Sequence, residues 1–286
     1  MVWHCHELFN RMPEGAVAGG IAVVIDVLRA STTIITALAN GTVCIRPVLT
    51  IDQARALATG GGPGGGSVSG SRVLLGGERG GLRIDGFDLG NSPLEYSPQR
   101  VRGRRIVMTT TNGTAALEAC AGAAEVLIGA IVNRAAVASR ARERAGALGV
   151  SDVHLVCAGT DGHVTEEDLL AAGAILDAAG SLPDAADDTL DASAAAALRR
   201  FRGVVSGSGT TSGKKRVASG KEAAAAIATA FASSRGGRNL IELGMQADLP
   251  AAAAIDSLTI VPRLDRGPRG DSAVTGWLHA DPADPP

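Results

Sequence analysis

An apolar run of the sequence ends on Asp26, and Arg29 follows three residues later. Three hydroxyl residues in a row, Ser31, Thr32 and Thr33, then stand where a helix is predicted to begin. Arginine binds anions through a fixed fork of N–H donors, and the first turn of a helix has free N–H groups that suit phosphate. The stretch therefore indicates a site for a small phosphorylated molecule.

A second hydroxyl-rich turn has the same character. The stretch "TTTNGT" contains Asn112, Gly113 and Thr114 at the start of another predicted helix. One hydroxyl at such a point usually only caps the helix. Two such clusters, with Arg29 beside the first, favour an anion-binding site over two unrelated caps.

Further polar residues follow other predicted strands. The longest irregular segment, 76–97, contains Glu78 and Arg79 among its glycines, and Asp161 follows a later strand. Ligands bind beyond the carboxyl ends of parallel strands, so Asp26, Asp161 and the asparagine of the second turn should approach one crevice. Each of them could instead be a turn residue or a helix cap, and the long segment could be a glycine-rich surface excursion.

Two motifs that resemble other phosphate chemistry are incomplete. Cys5 and Arg11 have the spacing of the cysteine-dependent phosphatases, but no glycine lies between them to let the backbone wrap a phosphate. The stretch 206–215 resembles a nucleotide-binding loop, but Ser208 replaces its first glycine and Lys215 replaces its magnesium-binding hydroxyl. We interpret the first as a core cysteine and the second as a linker.

The acidic start of a later helix has two interpretations. Thr165 and Asp168 form a capping pair, and acids in the first turn stabilise the positive end of a helix. Helix stabilisation is therefore the favoured interpretation of Glu166, Glu167 and Asp168. The alternative is that one of them faces the site.

Apolar runs and helical patterns alternate along the chain, which predicts an α/β fold with a largely parallel or mixed sheet flanked by helices. The predicted strands are 21–27, 42–48, 72–76, 105–109, 125–131, 153–158 and 257–262. The predicted helices are 31–40, 50–59, 113–122, 133–147, 165–179, 186–201, 220–234 and 248–256.

The predicted domain covers residues 1–265, and residues 266–286 are predicted to form a poorly structured tail. Two stretches in the domain, beginning at Val24 and at Ile106, both run strand, hydroxyl-rich turn, helix, strand. They indicate either two similar halves, about 1–104 and 105–265, or a shared βα pattern. The glycine-rich run 60–70 is predicted to be a loop.

The amino-acid composition limits the kinds of molecule that this protein is expected to bind. With 286 residues, 45% hydrophobic residues and a formal net charge of -2, the chain can bury a large core but lacks the basic balance of a protein that binds nucleic acid or an anionic membrane. No apolar run approaches the roughly 18 residues that span a bilayer, and a cytoplasmic location is expected. Four scattered cysteines predict reduced core residues. The oligomeric state stays open, a homodimer included.

Several motifs carry a resemblance to a known family. The stretches "DVLRASTTI", "GGERGG", "DGFDLGNSPLEY", "TTTNGT", "VCAGT" and "EEDLLAAG" resemble, in this order, the motifs of the 2-phosphosulfolactate phosphatase (ComB) family. The likeness runs from about Val23 to Ala172 and resumes at "SSRGGRNLIELGMQADL". Two features depart from the family pattern: Ala251 to Ala254 stand where a cysteine is expected, and the 206–215 insert is unusual.

The resemblance implies a magnesium-dependent phosphatase that hydrolyses 2-phospho-3-sulfolactate to 3-sulfolactate, a step toward coenzyme M, on an α/β scaffold. The positions inside the shared motifs are Asp26, Arg29, Thr32, Thr33, Glu78, Arg79, Gly86, Phe87, Asp88, Asn91, Ser92, Asn112, Gly113 and Thr114. The alternatives are a phosphatase for another small acidic phosphoester and a non-catalytic protein that binds a phosphorylated metabolite.

The chemistry suggests a role for each residue. A phosphate dianion needs its charge neutralised before water attacks it, and Mg²⁺ held by one or two carboxylates does this. Asp26, Arg29 and Glu78 are the predicted catalytic residues, and Asp26, Glu78 and Asp161 are the predicted metal ligands. The predicted substrate-binding residues are Ser31, Thr32, Thr33, Arg79, Asn91, Ser92, Asn112, Gly113 and Thr114.

Within this set, Arg29 and the Thr32–Thr33 helix start are assigned to the phosphate, and Arg79 to the sulfonate. Direct attack by water is favoured over an aspartyl-phosphate on Asp26. Phosphatases of the haloacid dehalogenase type that form this intermediate carry a second aspartate two residues later, where Leu28 stands.

Overall fold

The computed structural model describes residues 1–59, 73–206, 220–265 and 276–280, which form a sheet with helices packed on it. Its strands are β1 (Val2–His6), β2 (Ile21–Ile25), β3 (Cys44–Pro47), β4 (Leu74–Arg79), β5 (Leu82–Arg83), β6 (Arg105–Thr109), β7 (Glu125–Ile128), β8 (Asp152–Cys157), β9 (Thr189–Leu190), β10 (Pro262–Asp265) and β11 (Trp277–Ala280). Its helices are α1 (Ala30–Ala39), α2 (Ile51–Ala58), α3 (Pro98–Val101), α4 (Gly113–Ala119), α5 (Arg134–Leu148), α6 (Glu166–Ala179), α7 (Ala192–Val205), α8 (Gly220–Ser233), α9 (Arg235–Glu242) and α10 (Asp248–Ala252).

The strands of the described chain form one mixed sheet in the order β5-β4-β6-β3-β11-β10-β7-β2-β8-β1-β9. Two parallel blocks, β4-β6-β3 and β7-β2-β8-β1-β9, are joined by the antiparallel pair β10 and β11. The prediction of an α/β fold with a largely parallel or mixed sheet is confirmed in its mixed form.

Three antiparallel pairings separate β3 from β7, so in a flat sheet the two parallel blocks would end at opposite edges. A sheet twists by about 20–25° per strand pair, which adds up to roughly 100–125° over the five pairings from β6 to β2. Twist alone would leave β6 and β2 about 24 Å apart, at about 4.8 Å per pairing. The two carboxyl ends nevertheless meet, since a Cβ atom at Gly113 after β6 would lie 2.9 Å from Asp26 Oδ2 after β2, so the sheet must curl as well as twist.

The centre of the sheet is apolar on both faces. All five residues of β2 are buried, which explains why this strand is a continuous apolar run without alternation. Trp3 on β1, Phe201 on α7 and Phe231 on α8 are fully buried and fill the space between the sheet and its helices. The β2–α1 turn therefore follows a strand that is packed in the core on both faces.

Several predicted boundaries differ from the structure. Strand β1 was missed because its five residues, "VWHCH", include two histidines and lack an apolar run. The predicted helix 186–201 begins later, at α7, because the Asp191 side chain accepts a hydrogen bond from Ala194 N at 2.7 Å and caps it there. The predicted strand 257–262 is wrong for 257–261, which form no strand, while β10 begins at Pro262.

The segment after residue 265 is not wholly irregular. Strand β11 lies between β10 and β3 in the middle of the sheet, and its Leu278 is fully buried. A poorly structured tail is thus wrong for these four residues, because burial of an apolar side chain stabilises the strand. Residues 266–275 and 281–286, like the predicted loop 60–70 and most of 206–215, lie outside the described residues. The division into halves stays a prediction.

The cysteine prediction is confirmed: Cys5, Cys44, Cys120 and Cys157 are free and buried. Cys5 lies inside β1 and not in a phosphate-binding turn. Within the described ranges, no helix is long and apolar enough to cross a membrane.

Candidate active site

A cavity of about 290 Å³ lies where β2, β4, β6 and β8 end, with α9 along one side. It is lined by Asp26, Leu28, Arg29, Glu78, Gly80, Gly81, Asn91, Thr111, Asn112, Thr160, Asp161, Gly236, Asn239, Leu240, Glu242 and Leu243. The three strand-end residues that were expected to approach one crevice, Asp26, Asn112 and Asp161, all lie on its wall.

Asp26 is buried directly after β2, with 8% of its surface exposed. Its Oδ1 accepts a hydrogen bond from Ala30 N at 3.2 Å, and its own N–H donates to Ser31 Oγ at 2.9 Å. Burial raises the pKa of the Asp26 carboxyl to about 7, and the charge of Glu78 adds to this, while the Ala30 hydrogen bond and Arg29 oppose it. Asp26 therefore changes its charge near neutral pH.

Gly113 allows the start of α4 to approach Asp26. A Cβ atom at this position would lie 2.9 Å from Asp26 Oδ2 and 2.8 Å from Ala30 Cβ. Both distances are shorter than van der Waals contact, so a larger residue would push the starts of α1 and α4 apart. The absence of a side chain at Gly113 thus leaves room for the Asp26 carboxylate.

Glu78 joins the turns that follow β4 and β6. Its Oε2 accepts from Gly81 N at 2.8 Å, and its Oε1 accepts from Thr111 N at 2.8 Å and from Thr111 Oγ1 at 3.0 Å. The side chain is 7% exposed. Three donors from two turns therefore fix the orientation of a buried carboxylate at the cavity wall.

Arg29 is the guanidinium of the cavity wall, and it is 4% exposed. Its Nη1 donates to Asp248 Oδ2 at 2.9 Å and contacts Met245 Sδ, and its Nη2 donates to Gly81 O at 2.6 Å. The ion pair with Asp248 was not predicted from the sequence, because 219 positions separate the two residues.

The hydroxyls after β2 bond to the backbone. Ser31 Oγ donates to Val24 O at 3.3 Å, Thr32 Oγ1 to Val27 O at 2.8 Å, and Thr33 Oγ1 to Asn91 O at 2.8 Å. These three side chains are buried and do not line the cavity. They shape the turn that carries Asp26 and Arg29.

Of the other predicted substrate-binding residues, Asn91 and Asn112 line the cavity. Ser92 Oγ instead donates to Asp248 Oδ1 at 2.6 Å, and Thr114 Oγ1 donates to Thr110 O at 2.7 Å. Asn91 Oδ1 is buried without a hydrogen-bond partner among the described residues. An amide in this state favours contact with a ligand that can supply the missing partner.

Arg79 lies away from the cavity wall. It is the last residue of β4, and since side chains alternate along a strand it points opposite to its neighbour Glu78. Its guanidinium donates to Glu78 O at 2.7 Å, Leu49 O at 3.1 Å and Thr109 Oγ1 at 2.9 Å. Arg29 thus lines the cavity, whereas Arg79 does not.

Asp161 lies on the exposed rim of the cavity. Its side chain is 58% exposed and pairs with Arg235 at 3.4 Å. Its φ of 52° places it in the left-handed region that turn residues adopt. Asp161 is accordingly more accessible to solvent than Asp26 or Glu78.

The acidic start of α6 is more than a helix cap. Asp168 is 2% exposed and accepts from Val27 N at 2.9 Å and from Gly159 N at 2.8 Å, which ties the turns after β2 and β8 together. Glu167 is 1% exposed and accepts from Gly236 N at 2.9 Å at the start of α9. Burial raises the pKa of both carboxyls. Helix stabilisation is thus an incomplete interpretation of the two residues, whose neighbour Glu166 alone is exposed.

The cavity wall is acidic. Among the described residues, it carries the carboxylates of Asp26, Glu78, Asp161 and Glu242 against one guanidinium, that of Arg29. Such a wall repels an anionic substrate unless a cation is present. In the part of the chain that the structure describes, no three His, Cys, Asp or Glu side chains come close enough to hold a metal ion by themselves. A cation here would need ligands from a substrate or from water as well.

Comparisons with known proteins identify the family of the chain. The sequence profile described as 2-phosphosulpholactate phosphatase matches residues 7–267. A protein of Symbiobacterium thermophilum named probable 2-phosphosulfolactate phosphatase is 40% identical over 262 residues, which cover 91% of this chain and 97% of that protein. Proteins of the same name from Deinococcus radiodurans and Synechococcus sp. are 39% and 37% identical, over 86% and 90% of this chain and over 88% and 93% of their own lengths. The chain therefore belongs to the 2-phosphosulfolactate phosphatase family.

Proposed function

We propose that this protein hydrolyses 2-phospho-3-sulfolactate to 3-sulfolactate and inorganic phosphate with Mg²⁺, a step that would lead toward coenzyme M in the cytoplasm. The observation that carries the proposal is that Asp26 and Arg29, from the turn after β2, and Glu78, from β4, line one cavity. The names of its relatives supply the substrate.

The donor set of the cavity fits Mg²⁺. This ion prefers oxygen ligands and is usually bound through one or two carboxylates, with waters and substrate phosphates completing its octahedron. Glu78 Oε2 would be the first carboxylate ligand, and Asp161 on the rim would bind through water. Asp26 would be a second direct ligand only if another group accepted the proton of the attacking water. A bound Mg²⁺ would neutralise the phosphate charge and offset the acidic wall.

Asp26 has the properties required to handle the proton of the attacking water. With a pKa of about 7 it exists in both protonation states at neutral pH, and a general base works best when its pKa lies near the working pH. Its Oδ1 is held by Ala30 N, which leaves Oδ2 to accept the proton. Direct attack by water stays the favoured route.

Arg29 would hold the phosphoryl oxygens. Its contacts with Asp248, Met245 and Gly81 O use three of five N–H donors, which leaves Nε and one N–H of Nη2 for a ligand. The position of Arg79 argues against a direct contact with the sulfonate. The amides of Asn91 and Asn112 on the wall are better placed for the second acid.

The test is a phosphatase panel with phosphosulfolactate, phospholactate and phosphoglycerates, each assayed with Mg²⁺ and with excess chelator. We expect phosphosulfolactate to give the highest kcat/KM and the chelator to remove turnover. Equal or higher kcat/KM for another acidic phosphoester would assign the enzyme to that substrate. Absence of turnover with every phosphoester would instead indicate a binding protein, and full activity in chelator would exclude the metal.

A further inference from the structure

The ion pair between Arg29 and Asp248 is one of the least exposed charged contacts of the described chain. The two side chains are 3% and 2% exposed, and Nη1 lies 2.9 Å from Oδ2. Removing one member of such a pair leaves an uncompensated buried charge, which is strongly destabilising. The pair is therefore a fixed part of the cavity wall.

Asp248 is itself held in place. Its Oδ1 accepts a hydrogen bond from Ser92 Oγ at 2.6 Å, in the segment that follows β5. Asp248 is the first residue of α10, whereas Arg29 precedes α1. One carboxylate thus joins the C-terminal helices to the two turns that form the cavity.

The pair also sets the charge that a ligand encounters. Asp248 does not line the cavity, but it lies directly behind the guanidinium that does. Its negative charge reduces the attraction that Arg29 exerts on an anion in the cavity, while its hydrogen bond fixes the direction of the remaining N–H donors. An enzyme that releases phosphate after each turnover benefits from an arginine that is well oriented but does not bind the product too tightly.

We propose that Asp248 is a positioning residue that orients Arg29 and limits its affinity for phosphate. The inference rests on the proposed function, because it takes Arg29 as the phosphate-binding group. It predicts opposite effects on binding and on turnover when the charge is removed. A merely structural role predicts that both become weaker.

The experiment compares Asp248→Asn with the wild-type protein in two assays. Titration of inorganic phosphate by calorimetry, with Mg²⁺ present, should show about tenfold tighter binding, because the guanidinium charge is no longer offset. Turnover with Mg²⁺ should show kcat reduced by about tenfold, because the guanidinium is less well oriented and the product leaves more slowly. In an Arg29→Gln background, Asp248→Asn should leave the phosphate affinity unchanged.

Glu125→Gln is the matched control. Glu125 is buried and pairs with Arg144 at 2.9 Å, and neither residue lines the cavity. This variant should keep both phosphate affinity and kcat. If Asp248→Asn does not fold, Ser92→Ala is the second variant, and it should lower kcat several-fold with KM unchanged.

Unchanged or weaker phosphate binding by folded Asp248→Asn would overturn the proposal. So would an equal increase in phosphate affinity when Asp248→Asn is made in the Arg29→Gln background. An unchanged kcat in Ser92→Ala would overturn it as well. Failure of the proposed function has another signature. In that case the wild-type protein turns over no phosphoester, whereas the phosphate titrations still report whether Asp248 controls Arg29.

Discussion

Asp26→Asn should abolish turnover and at the same time make the protein more stable. Asp26 is 8% exposed, and burial is the main cause that raises its pKa to about 7. An asparagine has nearly the same shape and can still accept the Ala30 hydrogen bond. It can neither ionise nor accept a proton from water, so kcat should fall on the order of 10² to 10³-fold.

The gain in stability follows from the pKa of Asp26. In the unfolded chain the pKa of this carboxyl is near its ordinary value of 3.8, and in the folded chain it is about 7. Between these values the folded state holds more protons, so stability is lost as the pH rises and the loss is complete above about pH 7. Each pKa unit corresponds to about 1.4 kcal/mol, which gives roughly 3–5 kcal/mol for the buried charge at pH 8.

Asparagine removes this cost but buries an amide N–H₂ group, whose unmet hydrogen bonds cost about 1–3 kcal/mol. The net gain for Asp26→Asn at pH 8 should be roughly 2 kcal/mol. At pH 3 the aspartate is uncharged in both states, so only the amide cost of about 1–3 kcal/mol is left and the variant should be the less stable protein. Urea unfolding in chelator at both pH values measures this difference. Asp187→Asn, which removes an exposed carboxylate, controls for the change in net charge.

The result that would refute the reasoning is a folded Asp26→Asn protein that is less stable than the wild type at pH 8 or that retains kcat within threefold. The first outcome would show that the carboxylate is stabilised by its surroundings in spite of its burial. The second would remove Asp26 from the chemistry.

Three further changes test other parts of the site and the fold. Gly113→Ala should lower kcat/KM about 10- to 100-fold by displacing Asp26, whereas Gly203→Ala, where an added Cβ meets nothing within 4 Å, should keep full activity. Glu78→Gln should raise the Mg²⁺ concentration needed for half-maximal activity by at least tenfold, and an unchanged metal titration would contradict its role as a ligand. His154 has its pKa lowered to about 4, by burial first and then by two neighbouring histidines, so its contribution to stability should decrease as the pH falls from about 6.5 toward 4. This contribution is roughly 2–3 kcal/mol at pH 4.5 against pH 7, and it is measured as the difference in urea unfolding between the wild type and His154→Gln, because Asp26 changes stability in the opposite direction over this range.

Local signals were enough to predict the central unit of the site. A continuous apolar run marked β2, and the change to a helical pattern marked α1, so Asp26 had to lie at a strand end. The same reasoning applied to Asn112 after β6 and Asp161 after β8. These predictions succeeded because apolar periodicity and turn chemistry depend on residues that are neighbours in the sequence.

The side to which Arg79 points could have been derived with a better strand boundary. The predicted strand ended at residue 76, whereas β4 continues through Arg79. Within a strand, adjacent side chains face opposite sides, so Glu78 and Arg79 could not both face the cavity. The error therefore came from a boundary, which is the least certain feature of a predicted element.

The sequence by itself determined the α/β class, the family, the strand-end position of Asp26 and the carboxylate and arginine chemistry of the site. Only the tertiary structure decided which partners the buried charges have. Asp248 lies 219 positions from Arg29, and Asp168 lies 141 positions from Val27, whose backbone N–H donates a hydrogen bond to it. The physical reason is that a buried charge takes its partner from whatever element the fold packs against it, and that packing depends on the order of strands in a twisted sheet and not on the spacing of residues along the chain.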